Sequence, residues 1–158
     1  MIAILGGFAG AGHAETSYTI VVRESVANDA GWKKVIDALR QKHTGAKVVF
    51  WKQNLADALP SLREQHPAFT CFVTPCTQAG PDFVAEVHRM TRRYDDDIYT
   101  DTRWGILTAY DAATALKLVE FNQPIVVKKT SAGTEFAMEM VEQGIWYDEL
   151  VKNKTVRK

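Results

Sequence analysis

Apolar residues along this chain fall into short β-branched runs that alternate with longer stretches of three-to-four-residue spacing. Residues 18–22 form an unbroken apolar run, the signature of a strand buried on both faces. A helix is predicted from Asn28 or Asp29 to about His43. Trp32, Val35, Ile36 and Leu39 line its inner side, and Gly45 lies beyond its end. Residues 46–51 repeat the strand pattern. Residues 54–65 then read as a helix with Leu55, Ala58, Leu59 and Leu62 on one side and Pro60 confined to a first turn.

A third strand over 68–74 stops at Pro75, and a helix over 82–93 turns Phe83, Val84, Val87 and Met90 inward and His88 outward. Residues 104–108 form a fourth strand, and Asp111 caps a helix through Glu120. A fifth strand is predicted over 124–128, a last helix over 133–143, and an unfinished strand or hairpin over 145–158. Strands alternating with helices imply βαβ units: an α/β fold, a doubly wound and mostly parallel sheet of five or six strands with helices on both faces. The strands at 18–22, 48–51 and 69–73 are expected at its centre, and Trp32, Ile36, Leu39, Leu62 and Phe83 in its core.

Composition narrows the function classes. The 158 residues carry 19 Lys+Arg against 19 Asp+Glu, and 46% are hydrophobic, which suits one ordinary globular domain and argues against disorder. Balanced charge leaves no overall excess for a nucleic-acid partner, and no run reaches the length of a membrane span. Residues 1–14 are apolar and small, with Gly12 and Ala14 at −3 and −1 of a signal-peptidase cut. A basic start is missing, so a truncated signal peptide is preferred over a buried first strand, and the protein is expected to be exported. The expected organisation is therefore 1–14 as leader, 15–144 as an α/β subdomain, and 145–158 as the start of a linker or second subdomain.

Candidate chemistry is sparse. Gly6, Gly10 and Gly12 match a dinucleotide-binding spacing, but a strand follows where a helix is required. His13, His43, His66 and His88 share no metal-binding spacing. Cys76 stands just past a strand end, where a thiolate nucleophile could sit with His88 as base; the alternative is a structural Cys71 and Cys76, oxidised to each other in an exported protein. Asp95, Asp96 and Asp97, followed by Asp101, form the densest acidic cluster, readable as a solvated turn, as ligands of a structural Ca2+, or as a D-x-D motif for Mn2+ and a nucleotide sugar.

The run Asp97-Ile98-Tyr99-Thr100-Asp101-Thr102-Arg103-Trp104-Gly105-Ile106-Leu107-Thr108, with Asp111 and its helix, resembles the D-x-Y-x-[DE]-x-x-x-G-[RI]-[LF]-[ST] stretch that ends the N-terminal subdomain of gingipain-like cysteine peptidases. The resemblance extends over most of residues 18–122 in order and length, and it is specific over 95–111. It implies a caspase-like α/β fold, export, and a protein or peptide substrate. Ile106 stands where gingipains proper carry Arg, which marks a divergent branch. In that family the catalytic His, in a Gly-His pair, and the later Cys lie in the second subdomain. Here no Gly-His pair follows Gly12-His13, and no Cys or His follows His88, so the chain is expected to be inactive alone and part of a longer frame. The resemblance also implies that Asp101 matches the carboxylate that orients the catalytic imidazole, with Asp95, Asp96 and Asp97 as loop residues or Ca2+ ligands. Two alternatives stand beside it: a non-enzymatic ligand-binding or receiver-like domain, and a D-x-D glycosyltransferase fragment.

Overall fold

The computed structural model describes residues 17–124 and 126–158; the expected leader, the glycine-spaced segment and His13 lie outside them. Two compact units are formed, with the division after Phe121 and not at 144.

In the first unit, β1 (Tyr18–Arg23), β2 (Lys47–Trp51), β3 (Phe69–Val73) and β4 (Arg103–Leu107) form one parallel sheet in the order β2-β1-β3-β4. The expected α/β architecture holds; among the described residues the sheet has four strands, against the five or six expected. β1 and β3 are central, whereas β2 is an edge. Helices α1 (Glu24–Ala27), α2 (Ala30–Lys42), α3 (Leu59–Gln65), α4 (Pro81–Met90) and α5 (Ala112–Glu120) connect and cover it.

Side-chain alternation along the strands divides the core into two layers. Ile20, Val22, Cys71 and Val73 pack against Trp32, Val35, Ile36 and Leu39 of α2 and Ala115 and Val119 of α5. On the opposite face Val21, Val49 and Phe72 meet Leu55, Ala58, Leu62, Val87 and Met90. Phe83 is only half-buried and Val84 is 41% exposed, so the inner side of α4 is narrower than its periodicity predicts.

Local chemistry sets the helix ends. The Asp29 carboxylate accepts the Gly31 and Trp32 N–H groups at 2.8 and 3.0 Å, and the Asp111 carboxylate accepts that of Thr114 at 2.7 Å. Gly45 takes φ +80°, the left-handed conformation that lets the chain turn from α2 into β2. Pro60 falls in the first turn of α3, following a 3-10 turn at Leu55–Ala58. Lys42 ties the end of α5 by donating from Nζ to the Val119 and Phe121 carbonyls at 2.7 and 2.9 Å.

His43 closes α2 and stacks on Tyr18, with ring centroids 3.8 Å apart and planes 7° from parallel. Burial, and then the adjacent Lys42 charge, hold its pKa below the ordinary 6.5. The unfolded chain therefore binds the extra proton first. The stabilisation is complete above pH 6.5 and is lost as pH falls through the lower folded value. Melting temperature should fall on acidification in this window, and His43→Phe, which keeps the stack without the titration, should flatten that slope. An unchanged slope in the variant would remove His43 as its source.

The second unit, residues 122–158, carries β5 (Lys129–Ala132), β6 (Gln143–Tyr147) and β7 (Thr155–Arg157) in the order β5-β6-β7. β5 is parallel and β7 antiparallel to β6. The hairpin expected over 145–158 is present, but the helix expected over 133–143 is not, and no strand is found among the described residues of 124–128. Residues 126–128 are irregular, and a 3-10 turn at Met138–Met140 is the only helical turn between β5 and β6. Gly144 fits beneath Phe136 and Met138: a Cβ there would meet each of them at 2.8 Å. No helix among the described residues is long and apolar enough to cross a membrane.

Candidate functional site

In a doubly wound sheet, ligands and chemistry gather outside the carboxyl ends of the strands, where the strand order reverses. With the order β2-β1-β3-β4, that point lies between β1 and β3. β1 delivers Arg23, whose Nε donates to the Lys52 carbonyl at 3.2 Å and whose guanidinium stands 5.0 Å over the Trp51 ring. The Glu24 carboxylate lies 3.5 Å from the Lys52 ammonium, an exposed pair of small energetic weight. β3 delivers Thr74, Pro75 and Cys76, and β4 delivers Thr108 and Ala109. The Thr74 N–H donates to the Leu107 carbonyl and the Cys76 N–H to that of Ala109, each at 3.1 Å, so the two strand exits are laced together. Thr74 and Thr108 each bury a hydroxyl with no partner at this rim. Neither was singled out in the sequence, although a Thr at a strand's carboxyl end of a βαβ unit is the available signal.

Cys76 is free and half-buried at this rim, as its position after β3 predicts. No hydrogen bond links it to a histidine among the described residues. His88 is exposed on α4 and meets the Trp104 ring edge-on at 6.4 Å. Cys71 lies within β3, buried, and desolvation raises its thiol pKa, which makes it an inert core residue. The two cysteines are not bonded. Five residues of extended chain put their Cα atoms about 16 Å apart, and a disulfide spans at most ~7 Å.

Asp101 lies in the loop that enters β4. It stands two residues before β4, and in a parallel sheet the loop that enters a strand lies at the amino rim, opposite the carboxyl ends. The Asp101 N–H donates to the Thr91 carbonyl at 3.0 Å, and its carboxylate accepts the Tyr94 N–H at 2.7 Å. Its neighbour Thr102 shares a buried 2.9 Å hydroxyl contact with Thr70. Tyr94 plugs the second core layer below, and burial pushes its phenol up to about 12. Asp101 therefore acts as the fastener of the α4–β4 loop.

Asp95 and Asp97 join Asp101 in that loop, with carboxylate oxygens of all three within 4.8 Å of one another; Asp96 is not part of the group. Each carboxylate serves a backbone donor. Asp95 accepts the Asp97 N–H at 3.0 Å and Asp97 the Tyr99 N–H at 2.7 Å, as in an Asx turn. The cluster is a self-capping loop, and it faces away from the crevice in which a nucleotide sugar would lie.

No protein-family model, curated protein or solved structure matches the chain.

Proposed function

We propose that this chain is the N-terminal α/β subdomain of an exported gingipain-like cysteine peptidase, and that its role in the enzyme is structural. The observation that carries the reading is the stretch from Asp97 to Thr108, followed by the Asp111-capped helix, which resembles the family over its most specific motif. The parallel order of β1 to β4 and the cap at Asp111 are compatible with it. In the complete enzyme a cysteine thiolate would attack the scissile carbonyl carbon. An imidazolium would protonate the departing amine, and water would then hydrolyse the acyl-enzyme. Among the described residues no histidine is hydrogen-bonded to Cys76, and the Asp101 carboxylate is engaged by the Tyr94 N–H, which supports a structural role for this part of the chain. The glycosyltransferase alternative loses its motif to the amino rim.

One observation favours a second reading, a non-enzymatic ligand-binding domain: the two unpartnered hydroxyls of Thr74 and Thr108 at the carboxyl rim. A receiver-like version lacks its acidic pair after β1, where Arg23-Glu24-Ser25 stands.

The isolated chain is expected to cleave no fluorogenic peptide under reducing conditions, and Cys76→Ala is expected to leave that baseline unchanged. Thiol-dependent cleavage that disappears in Cys76→Ala would place the nucleophile in this chain and overturn the structural role.

A further inference from the structure

The three-stranded sheet of residues 122–158 has two unlike faces. Gly144 and Trp146 point to a buried side, where Phe136, Met138 and Val141 cover Gly144 and the Lys154 ammonium stands 5.1 Å over the Trp146 ring. The alternate positions point to an open side. Lys129 of β5 is paired with Gln143 of β6, and Ile145 of β6 with Arg157 of β7, so Lys129, Ile145 and Arg157 share one face. That face is an open depression of about 700 Å3. Lys129 and Arg157 are exposed, and neither makes an ion pair or side-chain hydrogen bond among the described residues. The carboxylate at its margin, Glu142, is already held by Lys128 at 3.0 Å. Half-buried Ile145 sits between the two cations, and Tyr147, 47% exposed, continues the row.

We infer that this face binds an extended acidic peptide segment, with carboxylates on Lys129 and Arg157 and an apolar side chain over Ile145. The spacing selects the ligand. Lys129 and Arg157 lie two strands apart laterally and two residues apart along β6, which sets their Cα atoms about 12 Å apart. Same-face side chains four residues apart on an extended peptide are about 13 Å apart, and the residue midway between them faces the same way. One phosphate spans far less than that distance, and two free cations are too few for a nucleic-acid backbone. The inference is independent of the peptidase reading.

A fluorescein-labelled peptide with Glu at two positions four apart and Leu midway, followed by anisotropy against the full chain, tests this. Saturable binding is expected, weakened by added salt and lost when Gln replaces both Glu. Lys129→Ser/Arg157→Ser should weaken it about tenfold, two exposed charge contacts at the upper end of their usual worth, with an unchanged far-UV spectrum. Lys129→Gln alone gives a smaller loss and serves if the double variant misfolds. Equal binding of the Gln peptide, unchanged affinity in the variants, or full displacement by inorganic phosphate would overturn the assignment. So would a self-association abolished by the same substitutions, which would give the face to a second copy.

Discussion

Replacing Phe72 by Ala is expected to destabilise the α/β unit by about 3–5 kcal/mol, much of a typical domain's total of roughly 5–15. Phe72 is fully buried in a central strand and packs in one layer with Val21, Leu62, Val87 and Met90, contributed by β1, α3 and α4. Truncation removes its transfer free energy and leaves a cavity that rigid strands on both sides cannot close. The denaturant midpoint should drop with little change in slope. Phe50, at the edge strand β2 and 53% exposed, is the control: Phe50→Ala should change stability by less than about 0.5 kcal/mol. Comparable losses at the two positions would mean that the core is not where the sheet order puts it.

The second large effect separates two roles for one residue. Asp101→Ala deletes the acceptor of the half-buried Tyr94 N–H and should cost about 1–3 kcal/mol, the penalty of an unpaired donor. Asp101→Asn keeps an acceptor oxygen at that position and should stay within about 0.5 kcal/mol of the parent, because the bond serves the fold and not a charge. In a complete peptidase Asn should also leave turnover near the parent value. A carboxylate that orients an imidazole would instead lose roughly four orders of magnitude on the same substitution. Stability and turnover measured together on both variants decide between loop fastener and triad member.

The fold was legible where a local rule suffices. The apolar runs at β1 and β3, the caps at Asp29 and Asp111, the left-handed Gly45 and the first-turn Pro60 all act within a few residues of themselves. α1 was not legible, because a single turn after β1 carries too few residues for a period. The second unit was less legible for another reason: its three strands are held by pairing across the sheet, which a chain-local pattern does not report. For the candidate site, the position of Cys76 at a strand exit followed from the βαβ order. The place of Asp101 in the loop entering β4 was legible too, since a residue preceding a parallel strand lies at its amino end. The unpartnered hydroxyls of Thr74 and Thr108 depend on what surrounds them in three dimensions, and no spacing announces that.

The central claim, that this α/β subdomain belongs to a peptidase whose nucleophile and base lie elsewhere in the same polypeptide, is tested most directly by sequencing the native protein's C-terminal peptides by mass spectrometry. The account predicts a polypeptide that continues past Lys158 into a segment with a Gly-His pair and a later Cys. A native C-terminus at Lys158, or a continuation without those residues, would contradict it.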